Sequence, residues 1–435
     1  MTIELRPLGV LCNLQCRYCY QHPQRDSGAA LPAYDLEKMK AAAERAGGHF
    51  SLFGGEALLV PEADLEDLWH WGLQKFGQNG VQTNGTLITE NHIRMFKQYR
   101  VHVGISLDGP DELNDVRWAG SLERTRAATA HSQAMVERLL RENVNVSLIT
   151  TLYRGNATQE QLPRLHAWFR DLDRLGLKSA RLHIMEAESD EIRAQYALAD
   201  EENVVAFLSF AYLEPELRTL RLDIFKDMRN MLLGKDNCVT CVWTGCDSYT
   251  TRAVQGIEFN GQVSNCGRTT KDGVDFIKAD VSGHERYLAL YQTPQAYGGC
   301  QGCRFFLMCK GNCPGTALQG DWRNRSEYCT VWKQLYRHLE EELLDQGQIP
   351  ITAHPQRQQI EQALLDAWAH GTNLYMANVL SQLQAATSPT TGKVHGGARS
   401  DRHGDHTDMH RAETPHGDIP HGDKAHGDHT DTTRA

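Results

Sequence analysis

Through the first half of the chain, short segments of alternating apolar and β-branched residues recur six times, each followed by a longer amphipathic window. The strand-like segments are residues 3–9, 49–55, 80–85, 101–109, 144–152 and 179–185. The windows with helical periodicity cover 36–45, a stretch starting at 62, then 89–99, 121–142, 158–175 and 201–233. Period-two runs alternating with period-3.6 runs predict βα units and a parallel sheet, hence an α/β fold. Six units without a seventh or eighth predict an open, partial (β/α)6 barrel over residues 1–233. From 234 to 345 the periodicity fades and Gly, Cys and Asn dominate, the pattern of a small domain held by metal. Residues 346–387 contain a helical extension, read at 356–384, and 388–435 form a Gly/His/Asp-rich tail. That tail has too few apolar residues to bury a core and is expected to be disordered.

Polar clusters fall at the ends of the predicted strands. Cysteines follow the first, Gly54-Gly55-Glu56 ends the second, Thr83-Asn84-Gly85 the third and Ser106-Leu107-Asp108-Gly109 the fourth. Gly, Asn and Asp make ordinary βα turns. Four such clusters in register, on the face where parallel α/β folds place their sites, point instead to one binding surface.

Composition narrows the class. A 435-residue chain with 40% hydrophobic and 23% charged residues has enough apolar material for a substantial core. A formal charge of −10 gives no basic footprint for nucleic acid, and no apolar run approaches a bilayer span. Without a charged n-region and apolar h-region at the start, a cytoplasmic location is expected. In that compartment twelve cysteines are metal ligands sooner than disulfides. Their distribution agrees: Cys12, Cys16 and Cys19 stand together, and the other nine lie between 238 and 329.

A cubane [4Fe–4S] cluster normally takes four thiolates, so three on one loop leave one iron open to a small molecule. The C-x3-C-x2-C spacing of Cys12, Cys16 and Cys19, with aromatic Tyr18 before the last, resembles the radical S-adenosylmethionine (SAM) enzymes. Gly54-Gly55-Glu56 is similar to their GGE segment, whose backbone meets the amino group of SAM. Residues 82–86 (QTNGT) and 104–110 (GISLDGP) resemble strand ends of the peptide-modifying branch. The resemblance implies SAM contacts from Gly54, Gly55, Glu56, Asn84, Ser106 and Asp108, the last two near the methionine carboxylate or ribose.

The later cysteines resemble a SPASM domain. Cys246, fourteen residues, Gly261, four residues and Cys266 match its first half; Cys300-x2-Cys303-x5-Cys309-x3-Cys313 and then Cys329 match its second. By that resemblance Cys300, Cys303, Cys309 and Cys329 hold one auxiliary cluster. Cys246, Cys266 and Cys313 hold another, with Cys241 or Cys238 as fourth ligand. Zinc is the alternative for the Cys300–Cys303 pair, and the interleaved spacing argues against it.

The resemblance implies three [4Fe–4S] clusters and SAM as cofactors, with reductive cleavage of SAM to a 5′-deoxyadenosyl radical that abstracts a substrate hydrogen. It implies oxidative modification, by preference cross-linking, of a ribosomal precursor peptide or protein, with electrons from a donor such as flavodoxin or ferredoxin. Sulfatase-maturing enzymes share the architecture but carry an aspartate after the second SPASM cysteine, where this chain has Gly267 and Arg268. Cyclophane-forming peptide maturases of the same branch fit at least as well. The opening strand starts so early that no leader-peptide recognition domain is expected before it. A non-catalytic iron–sulfur carrier or metal-handling scaffold would keep the cysteines without needing the GGE, TNG and SLDG loops.

Trp118, Tyr153, Trp168, Trp243 and Trp322 would suit a peptide channel, although core packing accounts for most such residues. Arg181 and His183 share one face of the sixth strand by their spacing. In the tail, eight histidines and seven aspartates fall mostly in HGD or HTD triplets. Divalent-metal binding is the leading reading, ahead of an inert tail and a fused substrate repeat.

Overall fold

The computed structural model describes residues 2–23, 33–244, 246–247, 254–270 and 283–387. The His-rich tail, with the metal binding expected of it, lies outside the described residues. Strands β1 (Thr2–Arg6), β2 (Phe50–Leu52), β3 (Asn79–Thr83), β4 (Val101–Ser106), β5 (Val146–Leu152) and β6 (Ser179–Ile184) are the six expected. Between them run α1 (Leu36–Ala46), α2 (Glu62–Phe76), α3 (Glu90–Gln98), α4 (Leu122–Arg141) and α5 (Leu162–Arg174). Local chemistry starts several of these helices. Asp35, Thr89 and Ser121 each accept a backbone N–H of the first turn with their side chain.

The six strands are parallel and adjacent in chain order, with Ile3 opposite Phe50 and Val103 opposite Val146. Parallel pairing requires crossover connections, which the five helices supply. Buried Ile3, Leu5, Phe50, Leu52, Val103 and Ile105 place the core between sheet and helices.

The sheet is larger than the sequence pattern suggests. A two-residue strand, β7 (Arg221–Leu222), extends it beyond β6, while β8 (Val254–Glu258) adds parallel to β1 and β9 (Val263–Ser264) antiparallel to β8. The order is β7-β6-β5-β4-β3-β2-β1-β8-β9, an open sheet of nine strands among the described residues.

The single helical window read at 201–233 divides. After α6 (Asp190–Tyr196), α7 (Asp200–Leu213) ends before a turn with Pro215, and α8 (Asp223–Leu232) follows β7. The cause is tertiary: the Asp173 carboxylate accepts the N–H groups of Arg218, Thr219 and Leu220 at 2.9, 2.8 and 2.8 Å. That contact fixes a turn where sequence periodicity alone would continue a helix.

The Gly- and Cys-rich region is also less bare than its periodicity suggests. It contributes α9 (Glu285–Gln292) and α10 (Cys329–Asp345). The extension is two helices, α11 (Arg357–Ala369) and α12 (Met376–Thr387). Tyr287, Leu290, Phe305, Leu335, Leu339, Ile360 and Trp368 belong to the same buried cluster as the sheet residues. No helix among the described residues is long and apolar enough to cross a membrane.

Candidate functional site

The loop leaving β1 carries Cys12, Cys16 and Cys19, all half-buried. Its backbone is stitched to a second segment: the N–H groups of Gln15 and Arg17 donate to the carbonyls of Trp118 and Val116, each at 2.8 Å. Tyr18, between two of the cysteines, donates its hydroxyl to Asp108 at 2.5 Å. The Asp108 carboxylate also accepts Arg117 Nε and Nη2 at 2.9 and 3.0 Å and the Thr151 N–H at 2.9 Å. Asp108 is 0% exposed, so every bond it makes is desolvated. Burial pushes the Cys16 thiol up to about 12, Arg117 pulls it down, and Cys19 and Cys12 push it up further. The three sulfurs therefore share one electrostatic neighbourhood, with Arg117 as the cation that favours thiolate.

The strand-end motifs dock onto this loop. Gly55 and Glu56 donate their N–H groups to the carbonyls of Gly9 and Leu11 at 3.0 and 2.8 Å. A Cβ on Gly54 would lie 2.3 Å from the Gly9 oxygen, and one on Gly55 would lie 2.2 Å from the Leu11 oxygen. Gly54 also sits at φ +134, where a side chain is strained. Two glycines are needed because backbone meets backbone there. The loop uses the Gly55 and Glu56 N–H groups, and a ligand's ammonium, a pure donor, needs carbonyl oxygens rather than N–H groups.

Glu56 is 1% exposed and ties two strand ends together. Its carboxylate accepts Leu58 N–H at 3.0 Å, Thr83 Oγ1–H at 2.7 Å and Asn84 N–H at 2.7 Å. Burial raises its pKa, and those three donors oppose the rise. Asn84 in turn donates to Asn13 Oδ1 at 2.8 Å, inside the cysteine loop, while its own Oδ1 accepts the Thr86 hydroxyl at 2.6 Å. Ser106 engages the neighbouring strand, accepting from Gln82 Nε2 at 2.8 Å. Of the six residues expected around SAM, five bond or pack directly into the loop's support.

Residues 7–168, which span all of these contacts, match the radical SAM superfamily model. They are a radical SAM domain. A cysteine-type anaerobic sulfatase-maturating enzyme of Clostridium perfringens (strain 13 / Type A) is 23% identical over 386 residues, 79% of this chain and 98% of its own. A serine-type anaerobic sulfatase-maturating enzyme of Klebsiella aerogenes is 28% identical over 211 residues, 45% of this chain and 50% of its own. Among solved structures, anSMEcpe with bound AdoMet shares the fold at TM-score 0.62 and 19% identity, covering 79% of this chain and 98% of that one. The radical SAM superfamily uses a [4Fe–4S] cluster and SAM, and this chain is an enzyme of that superfamily.

The second cysteine group of this radical SAM enzyme gathers in two places. Cys300, Cys303, Cys309 and Cys329 line one cavity. Burial pushes Cys300 up to about 12, and Cys329 and Cys303 add to the rise; Cys309 is raised well above the ordinary thiol value by burial and by the same neighbours. Elsewhere, Cys266 is pushed up to about 12 by burial first, with the Cys313 charge contributing, and Cys241 is a neighbour of both. Cys238 is exposed, whereas Cys241 is half-buried at φ +47, a conformation few non-glycine residues adopt. Cys246 lies on the side of Tyr287, whose hydroxyl its charge affects, and its carbonyl accepts from Arg286 at 3.4 Å.

Arg268, just past Cys266, forms an ion pair with Glu186 and bonds His183 Nδ1 at 3.2 Å. Its guanidinium lies 5.9 Å from the Tyr20 ring, which connects it to the loop of Cys19. Arg181 and His183 share the face opposite buried Ala180, Leu182 and Ile184, as strand alternation predicts. Tyr153 and Trp243 are core residues, while Trp118 is half-buried under Arg17 at 4.4 Å. Sequence reading missed Arg117 and Asn13, which complete the loop's support together with Thr86, the last residue of the QTNGT segment. Arg117 and Asn13 stand in turns without periodicity, where no motif assigns them a role.

Proposed function

We propose that this radical SAM enzyme is a peptide or protein maturase that oxidatively modifies a ribosomally made substrate, by preference through a side-chain cross-link. Cys12, Cys16 and Cys19 would hold the SAM-binding [4Fe–4S] cluster. The observation that carries the reading is the convergence of the GG, TN and LDG strand ends on that three-thiol loop, an arrangement a simple electron carrier does not need. With cluster and SAM bound, reductive cleavage supplies a 5′-deoxyadenosyl radical able to take hydrogen from an unactivated carbon. The protein's part is to hold the loop rigid through Asp108, Glu56 and Asn84, to offer the carbonyls of Gly54 and Gly55 to an ammonium, and to exclude water.

Cys300, Cys303, Cys309 and Cys329 would hold one auxiliary cluster; Cys241, Cys246, Cys266 and Cys313 would hold the other. The first four surround a cavity. Among the described residues no three His, Cys, Asp or Glu side chains gather closely enough to share a single metal ion. The proximity of Cys241 to Cys266 and Cys313, against an exposed Cys238, supports Cys241 as the fourth ligand. Relatives bear on the substrate: anSMEcpe has been solved with a Cp18Cys peptide bound, at TM-score 0.59 and 20% identity. Gly267 stands where the sulfatase-maturing pattern has an aspartate, and the next residue, the cation Arg268, is paired with Glu186, which favours a different side-chain chemistry.

Anaerobic reconstitution tests the reading. The full chain should bind about twelve irons, three clusters of four, and dithionite-reduced enzyme should convert SAM to methionine and 5′-deoxyadenosine. Replacing Cys12, Cys16 and Cys19 with Ala should remove about four irons and all 5′-deoxyadenosine. Reduced, fully loaded enzyme that never cleaves SAM would refute the assignment.

A further inference from the structure

We propose that Arg117 is a positioning residue that sets the charge around the centre held by Cys12, Cys16 and Cys19, with Asp108 as its counterweight. This rests on the reading of those three thiols as cluster ligands. The geometry is specific. Residues 116 and 118 pair by backbone with the cysteine loop on either side of Arg117. The Arg117 side chain is 10% exposed and that of Asp108 0%. The guanidinium lies 5.7 Å from the ring centroid of Tyr18, the residue between Cys16 and Cys19, and its bidentate grip on Asp108 fixes its plane. Asp108 also takes the Tyr18 hydroxyl, so both charges bear on the same turn of the loop.

Reducing an iron–sulfur cluster adds one electron and therefore one negative charge to the buried site. A nearby cation favours that state and a nearby carboxylate opposes it, and water-poor surroundings strengthen both effects. The pair thus does more than brace the loop: its two members pull the ease of reduction in opposite directions.

The test is an EPR-monitored potentiometric titration of the full-length, anaerobically reconstituted protein. The signal that disappears when Cys12, Cys16 and Cys19 are replaced identifies the centre. Arg117→Gln should shift its midpoint potential more negative and Asp108→Asn more positive, each with wild-type iron content. Arg117→Lys keeps the charge but loses the fork, and should fall between wild type and Arg117→Gln. Shifts of the same sign, or none in variants that retain iron, overturn the proposal. Should Arg117→Gln lose iron, Asp108→Asn alone decides, because bracing by itself gives no reason for a positive shift. Wild-type protein with no iron on these cysteines would instead overturn the ligand reading.

Discussion

Glu56 illustrates how a residue in a recognisable motif can serve the fold. A buried carboxylate inside a radical SAM domain invites an acid–base role, yet both of its oxygens are engaged, by Leu58 and Thr83 on one side and Asn84 on the other. Glu56→Gln would turn an amide NH2 toward a donor and leave it unpaired, a loss of about 1–3 kcal/mol. The expected result is a lower urea midpoint with 5′-deoxyadenosine formation per folded enzyme retained. Loss of turnover at unchanged stability would assign the residue to chemistry. Arg117 shows the reverse: no motif marks it, yet it stands closer to the thiols' electrostatics than Glu56. Residue type and spacing locate a ligand, whereas packing decides which neighbour serves it.

At the scale of elements, helices with amphipathic windows were legible and those held by long-range contacts were not. β7 exists because Asp173 collects three backbone N–H groups. Burial would raise that carboxyl, but the N–H bonds outweigh it and hold it at about 2. The α5–α7 contact carries a pH-dependent term. His166 packs edge-on against Phe210 at 4.6 Å and bonds Ser209 Oγ at 3.0 Å. Burial, aided by Arg170, lowers it to about 4 from an ordinary value near 6.5. A histidine depressed in the folded state stabilises above its unfolded pKa, and that stability drains away as pH falls from 6.5 toward 4. Between pH 7.5 and 5.5 the wild type should lose about 1 kcal/mol more than His166→Gln, allowing for partial solvent exposure. Urea titrations at the two pH values check this, and equal losses would remove His166 from the account.

At the scale of the molecule, the cysteine-rich region is joined to the radical SAM domain by sheet and core alike. β8 pairs along the whole of β1, and Tyr287, Leu335 and Trp368 share one buried cluster with Ile3 and Leu5. A cluster in the Cys300 cavity would therefore complete a packed structure rather than staple a loose one. Cys300→Ser with Cys303→Ser should empty that cavity of iron, reduce soluble yield and abolish modified product, while 5′-deoxyadenosine still forms in the folded fraction. Iron counts, product mass and 5′-deoxyadenosine measured together decide it. Full product yield without that iron would remove the auxiliary role.

The sequence by itself determined the α/β class, six strands with their helices, the three-cysteine loop and the strand-end motifs. These are local signals: periodicity and spacing are written within a few residues, and short-range geometry preserves them. Only the tertiary structure decided that β7, β8 and β9 widen the sheet, that Cys241 is half-buried while Cys238 is exposed, and that Asp108 faces Tyr18 and Arg117. The Tyr18–Asp108 bond joins positions 90 apart in the chain, and the Arg268–His183 contact joins positions 85 apart. Such pairings are fixed by burial and by the need to satisfy desolvated charges, and those conditions exist only once the chain has packed.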